Sequence, residues 1–249
     1  MNSISFKLNN WVALSPGLTD IDSWKTWAEL EMTWPENPQA VPANLIPPMM
    51  RRRTSSLSKL ALQTALTLTE GKDIDYIVFA SRHGELTRSI PLIEKTLQGE
   101  DVSPTIFSQS VHNTAAGLFT IAAKRPVPAV SLASGPNTLH SALIEAAAYL
   151  GECPHHQVLV VDFDEPLPEP FRDFDHGQYQ GYALGMLLTG GDEYQLQWEP
   201  HTNPVQPSVP NSLHVIRQLV SDATSWTIAS GSQCWHWQRS GASTTIHKK

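Results

Sequence analysis

With 249 residues and 41% hydrophobic content, the chain can bury a real core in one large domain or two small ones, which excludes global disorder. Seventeen basic against 24 acidic residues give a formal charge of −7, so there is no positive field for a phosphate backbone and nucleic-acid binding is disfavoured. Only two cysteines occur, the start "MNSISFKLNN" lacks a secretory pattern, and no apolar run approaches the ~20 residues of a membrane span. The expectation is a soluble, cytoplasmic protein with reduced thiols.

In chain order, "SFKLNNWVAL" (5–14) reads as a strand ending at Ser15-Pro16-Gly17, and the proline-rich "WPENPQAVPANLIPP" (34–48) as a surface loop. In "SLSKLALQTALTLTE" (56–70), Leu57, Leu60, Ala61, Ala65 and Leu68 recur at helical spacing, with Ser55 or Ser56 as cap and one face toward a sheet. Three short apolar runs resemble buried parallel strands: "IDYIVFAS" (74–81), "AVSLAS" (129–134) and "QVLVVDFD" (157–164). Between the last two, Leu139, Ala142, Leu143, Ala146, Tyr149 and Leu150 form a helical stripe that Asn137 could cap and Gly151 could end. "YALGMLLTG" and "EYQLQWE" flank Gly190-Gly191-Asp192 like a hairpin. After a second break, "PHTNPVQPSVPN" (200–211), "SLHVIRQLVSDA" reads as a helix, "SWTIAS" and "SQCWHWQRS" as strands, and the last residues as a fraying end. The pattern is α/β with an antiparallel addition at one edge, divided into a domain over 1–199 and an extension over 200–249 packed on it.

Residues 104–165 carry more specific information. Asn113, Gly117 and Ile121 match an N-x-x-x-G-x-x-x-I helix; Val127-Pro128-Ala129 leads into a strand; Ser134-Gly135-Pro136 forms a turn into a helix; and Phe163-Asp164-Glu165 ends the next strand. This order resembles the N-terminal half of the β-ketoacyl synthases, condensing enzymes of the thiolase fold. "FSQSVHNTAAG" resembles the short chain-length-factor-like members of aryl polyene clusters. The resemblance implies a thiolase-like half: a five-stranded mixed sheet with helices on its faces and a short C-terminal extension.

Counting without a gap from Asn113 places the family's nucleophilic cysteine at Pro136. Such a cysteine reacts because free N–H groups and the helix dipole favour its thiolate, and its own N–H helps to bind the oxyanion. Proline has neither the sulfur nor the N–H. The histidines that drive decarboxylation in the family belong to a second half that 249 residues are too few to hold. The resemblance therefore implies a subunit without catalytic residues or cofactor, partnered by a catalytic ketosynthase and serving an acyl carrier protein. The strand Ala129, Val130, Ser131, Leu132, Ala133, Ser134 would pair across the heterodimer, while Leu86, Thr87, Phe107 and His112 would approach the partner's acyl tunnel.

Other clusters carry alternatives. Ser134, with His112 as base, could make a stand-alone acyl hydrolase or transferase, although no G-x-S-x-G elbow is present, and a homodimeric acyl-binding module is a third possibility. Arg51, Arg52 and Arg53, the basic run of an acidic chain, could dock an acidic carrier or simply be a solvated cluster. Asp162, Asp164, Glu165, Asp173, Asp175 and His176 fit no EF-hand or H-E-x-x-H spacing, so no metal is expected; Asp162 and Asp164 should pair with donors at a strand end. Cys153 and Cys234 read as ordinary thiols, and the tryptophans as core or interface anchors.

Overall fold

Parity along one strand decides the layering. In β4 (Val158–Asp164), Val158 and Val160 enter one hydrophobic core, and Leu159, Val161 and Phe163 enter the other. A strand covered on both faces needs a continuous apolar run, which "VLVVDFD" supplies. In this computed structural model, residues 2–169, 171–174, 177–221 and 223–240 are described. Asp175, His176 and the terminal residues expected to fray lie outside them.

The sheet runs in the order β1 (Asn2–Leu14), β5 (Tyr182–Val205), β4, β2 (Tyr76–Ala80), β3 (Ala129–Leu132), and β6 (Ser225–Arg239) also pairs with β5. β3, β2 and β4 are parallel, whereas β5 is antiparallel to β4, β1 and β6. It is the mixed sheet the sequence implies, with six strands instead of five because the C-terminal extension adds β6 to it.

The helices are α1 (Ile21–Glu29), α2 (Pro48–Arg51), α3 (Ser56–Thr69), α4 (Leu86–Leu97), α5 (Pro104–Phe107), α6 (Thr114–Ala123), α7 (Thr138–Glu152) and α8 (Asn211–Leu219). α3 and α6 cover one face of the sheet; α7, α8 and the Trp24–Trp27 side of α1 cover the other. Ser55 caps α3, its Oγ accepting the Ser58 N–H at 2.9 Å, and Leu57, Leu60, Ala61, Ala65 and Leu68 are buried as their spacing predicts. The proline-rich stretch up to Pro47 has no helix or strand, though Ile46 is buried.

The hairpin expected at Gly190-Gly191-Asp192 does not form. Phe6 pairs with Tyr194 but Lys7 pairs with Thr189, so residues 190–193 are extra residues absorbed within a single 24-residue strand. Glycine makes this possible: a Cβ on Gly190 would meet Pro154 O at 2.8 Å, and one on Gly191 would meet Lys7 Cβ at 2.9 Å. The strand also continues into the break expected after residue 200, to Val205. Likewise "SWTIAS" and "SQCWHWQRS" are one strand, β6, carried past Gly231 at φ +58°.

At Gly185 helix and sheet approach closely, since an added Cβ would lie 2.9 Å from Thr64 Cγ2 and 3.2 Å from Leu68 Cδ2 of α3. Gly185→Val should therefore overpack this interface and lower stability by about 1–3 kcal/mol, read as a lower urea midpoint at unchanged m.

Candidate functional site

The turn between β3 and α7 is where the family's nucleophile belongs. The chain leaves β3 through Ala133 and Ser134 and makes a 3-10 turn over Gly135–Asn137, with Gly135 at φ +53°. Thr138 ties the turn internally: its Oγ accepts the Ser134 N–H at 3.0 Å and donates to the Gly135 carbonyl at 2.8 Å. Asn137 does not cap α7, because its Oδ1 instead accepts the Trp235 indole N–H at 2.9 Å.

The C-terminal extension packs against one side of this turn, where Ser134 and Gly135 stay exposed and Pro136 is half-buried. The Pro136 carbonyl accepts from Asn211 Nδ2 at 2.8 Å and from Ser230 Oγ at 3.3 Å. A Cβ on Gly231 would stand 3.5 Å from Pro136 Cγ, so β6 runs beside the proline ring with room for about one methyl group between them. Below it, Pro136, Leu139, Asp162, Tyr182 and Asn211 line a cavity of about 40 Å³, space for water and far short of the ~300 Å³ of a small-molecule site.

One turn into α7, His140 is fully buried and stacked on Trp235 at 4.2 Å, with the Trp237 indole N–H donating to its Nε2 at 3.2 Å. Asn211 Nδ2 lies 3.2 Å from its Nδ1. Burial pushes its pKa down to about 3, so the ring is neutral and serves as packing.

Asp162 and Asp164, both buried, occupy alternate positions at the end of β4. Asp162 accepts from Tyr182 Oη at 2.8 Å and from Ser212 Oγ; burial, then the neighbouring Asp164 charge, push its pKa up to about 7 against those two hydrogen bonds. Asp164 accepts from Ser81 Oγ and the Arg82 N–H, each at 2.8 Å, and from the His83 N–H at 3.2 Å. Burial raises it to about 6 despite these donors. The pair thus meets its donors at the strand end, as the sequence suggests. No group of three or more His, Cys, Asp or Glu is placed to hold a metal among the described residues.

The tunnel candidates gather on one side. Leu86 is half-buried at the start of α4; Thr87 is exposed and donates to Glu165 Oε1 at 2.7 Å; Phe107, ending α5, is 61% exposed. Segments 81–89 and 107–112 are joined by Ser89 Oγ to the Ser110 carbonyl at 3.0 Å and Arg88 Nη1 to Gln109 Oε1 at 2.7 Å. His112 Nε2 donates to the Ser81 carbonyl at 2.8 Å, and the ring packs so closely on Gly84 that a Cβ there would meet Cδ2 at 2.9 Å. That geometry makes His112 a strut for the turn after β2, with its Nε2 committed elsewhere than to Ser134. Arg51 Nη1 donates to the Ala43 carbonyl at 3.1 Å, while Arg52 and Arg53 are exposed; both cysteines are half-buried.

β3 is an edge of the sheet: Ala129, Ala133 and Ser134 are exposed, Val130, Ser131 and Leu132 half-buried, and no described strand pairs with its outer side. β1, the other end of the sheet order, carries Lys7 and a bulge at Asn9, devices that discourage further pairing. β3 has neither.

A mixed sheet between helical layers, with its strand-to-helix turn at the nucleophile position, defines the thiolase-like class. Within it the chain belongs to the β-ketoacyl synthase family: residues 24–238 match the family's N-terminal domain. It is similar over 95% of its length, at 30% identity and a TM-score of 0.86, to all of a chain from the ketosynthase (ApeO) in complex with its chain length factor (ApeC) of Xenorhabdus doucetiae. The ishigamide ketosynthase/chain length factor (15% identity, TM-score 0.58, 81% of this chain and 68% of that one) shares the fold. So does a β-ketoacyl synthase from Burkholderia phymatum STM815 (13%, 0.58, 87% and 69%). No curated protein matches the chain. No described helix is long and apolar enough to cross a membrane.

The raised pKa values of Asp162 and Asp164 mean that the folded state holds protons the unfolded chain releases. Their stabilising contribution is complete below about pH 4 and lost as pH rises through about 6 to 7. Asp162→Asn keeps an acceptor for Ser212 and Tyr182 without the charge. Urea unfolding between pH 5 and pH 8 should show the wild type losing stability, steepest at the acid end at up to about 2 kcal/mol per pH unit, and the variant losing distinctly less. Parallel profiles would contradict the assignment.

Proposed function

We propose that this chain is a non-catalytic, chain-length-factor-like subunit that pairs with a catalytic ketosynthase. Together they would extend an acyl chain from malonyl units on an acyl carrier protein, in aryl polyene or related polyketide or fatty-acid biosynthesis in the cytoplasm. The observation that carries this reading is Pro136, at the strand-to-helix turn, its carbonyl held by Asn211 and Ser230. A condensing nucleophile needs a thiolate, an N–H facing the oxyanion and room for the acyl group. Proline supplies neither group, and the adjoining cavity of about 40 Å³ holds no acyl chain. The partner's cysteine and histidines would make the bond.

Similarity to a chain of a ketosynthase–chain length factor complex supports the pairing, and so does the contrast between the bare β3 edge and the bulged β1 edge. In this reading Ala129 to Ser134 lie along the subunit boundary. Leu86, Thr87, Phe107 and His112 belong to the region bordering the partner's tunnel, where a bulky side chain stops growth because a close-packed wall yields little to another two-carbon unit. Exposed Phe107 is best placed to do so, with His112 holding the adjoining turn. Arg51, Arg52 and Arg53 would attract the acidic carrier, chiefly through the two exposed side chains.

Co-expression with a catalytic ketosynthase of the same organism, followed by native mass measurement, tests the reading: a one-to-one heterodimer is expected. A stable homodimer that ignores the ketosynthase would defeat it and favour the binding-module alternative. In the heterodimer, replacing Arg52 and Arg53 with alanine should weaken carrier affinity at low salt by roughly 1 kcal/mol, a difference that disappears at high salt.

A further inference from the structure

Little packing holds the segments that carry Leu86, Thr87 and Phe107. Among the described residues α5 buries no side chain and α4 buries Leu92, and a groove of about 590 Å³ lies between the two helices. The groove leaves their spacing to hydrogen bonds, and several of those bonds converge on one side chain.

That side chain is Arg88. Its Nη2 donates to the Arg53 carbonyl at 2.6 Å, its Nη1 donates to Gln109 Oε1 at 2.7 Å, and its Nε lies 3.7 Å from Glu85 Oε2. One guanidinium thus joins the end of the basic run, the first turn of α4 and the turn after α5. Glu85 is itself fixed, because its carboxylate is buried and Oε1 accepts from Ser55 Oγ at 2.7 Å and Ser58 Oγ at 2.5 Å at the start of α3. So α3 anchors Glu85, Glu85 orients Arg88, and Arg88 holds Gln109. The turn it holds is continuous with Phe107, whose carbonyl accepts from the Ser110 N–H at 3.0 Å and from Ser110 Oγ at 2.9 Å.

We infer that Arg88 is a positioning residue for acyl chain length: through Gln109 it sets where Phe107 stands at the border of the partner's tunnel. This rests on reading the chain as the chain-length-factor-like partner of a ketosynthase. Phe107 is 61% exposed, so its own packing does not hold it against an incoming acyl end, and a wall stops growth only where its support is stiff. An arginine suits that task. Its planar fork directs N–H groups along fixed lines to several acceptors at once, whereas an ammonium is a single point charge on a flexible stem. The side chain is 24% exposed, which limits competition from water for these bonds.

Condensation by the heterodimer, given malonyl-loaded carrier and a series of acyl-loaded carriers each two carbons longer than the last, tests this. Relative to a short acyl group, Arg88→Met should raise kcat/KM for the first length beyond the wild-type cut-off by about fivefold or more, within what one charge-assisted hydrogen bond supplies. Arg88→Lys keeps the charge without the fork and should do nearly the same, whereas Gln109→Glu keeps the acceptor and should retain the wild-type cut-off. Gln109→Leu should reproduce Arg88→Met, and the double variant should shift the cut-off no further than either alone, since both remove the same bond. A merely structural role would lower Tm and yield and leave the length ratio unmoved. An unmoved ratio in Arg88→Met and Gln109→Leu, or a wild-type ratio in Arg88→Lys, overturns the inference and leaves the pairing standing. Should Arg88→Met give no heterodimer, Gln109→Leu, at a half-buried position, decides alone. A wild-type chain that forms no condensing heterodimer defeats the reading of the chain and this inference with it.

Discussion

The carbonyl of Pro136 is the point on which the site turns. It accepts from Asn211 at the start of α8 and from Ser230 in β6, fixing the C-terminal extension across the N-terminal end of α7. In a condensing enzyme that helix end must stay open, because its free N–H groups and positive dipole activate the nucleophile and the acyl group must reach it. Here the extension contacts that helix end from one side, and the indole N–H of Trp235 donates to Asn137. Beneath, His140 lies between Trp235, Trp237 and Asn211, a neutral packing element held by three groups of the extension. In the proposed reading, a proline in place of the thiol and the extension's contacts to it are parts of one construction.

Burying charge near this contact has a cost that the fold distributes. Asp164 meets donors from the turn after β2, and Asp162 meets one from β5 and one from α8, so two carboxylates link four segments at the C-terminal end of β4. The links are satisfied, yet both groups remain harder to ionise than in water, because hydrogen bonds from hydroxyls and amides only partly offset desolvation. The extension is thus held at two levels, by the Pro136 turn above and by the carboxylate layer below.

What the sequence reveals follows the range of each interaction. β2, β4 and α3 are legible because local apolar runs and one capping serine specify them, and Pro136 is legible because its position relative to Asn113 is a count along the chain. β5 is misread as a hairpin because Gly-Gly-Asp favours a turn locally, whereas the long β1 pairs with both halves of the strand. α4 does carry a helical stripe, Leu86, Ile90, Ile93 and Leu97, which Pro91 masks by reading as a helix breaker. The extension's contact with the turn is invisible for another reason: Asn211 and Trp235 are polar or aromatic residues 75 and 98 positions from their partners, and no spacing rule joins them. Asn137 has a capping residue's chemistry and spends it on that contact. His112 is chemically fit to be a base but holds a backbone carbonyl, a role only three-dimensional placement discloses.

The division of labour between two related chains is most directly tested by where the growing acyl group becomes covalently attached. The assembled heterodimer, incubated with acyl-loaded carrier protein, should show by intact-protein mass spectrometry an added acyl mass on the ketosynthase alone, with this chain at its unmodified mass. An acyl increment on this chain, mapped by proteolysis to Ser134, Cys153 or any other side chain, would contradict the central claim.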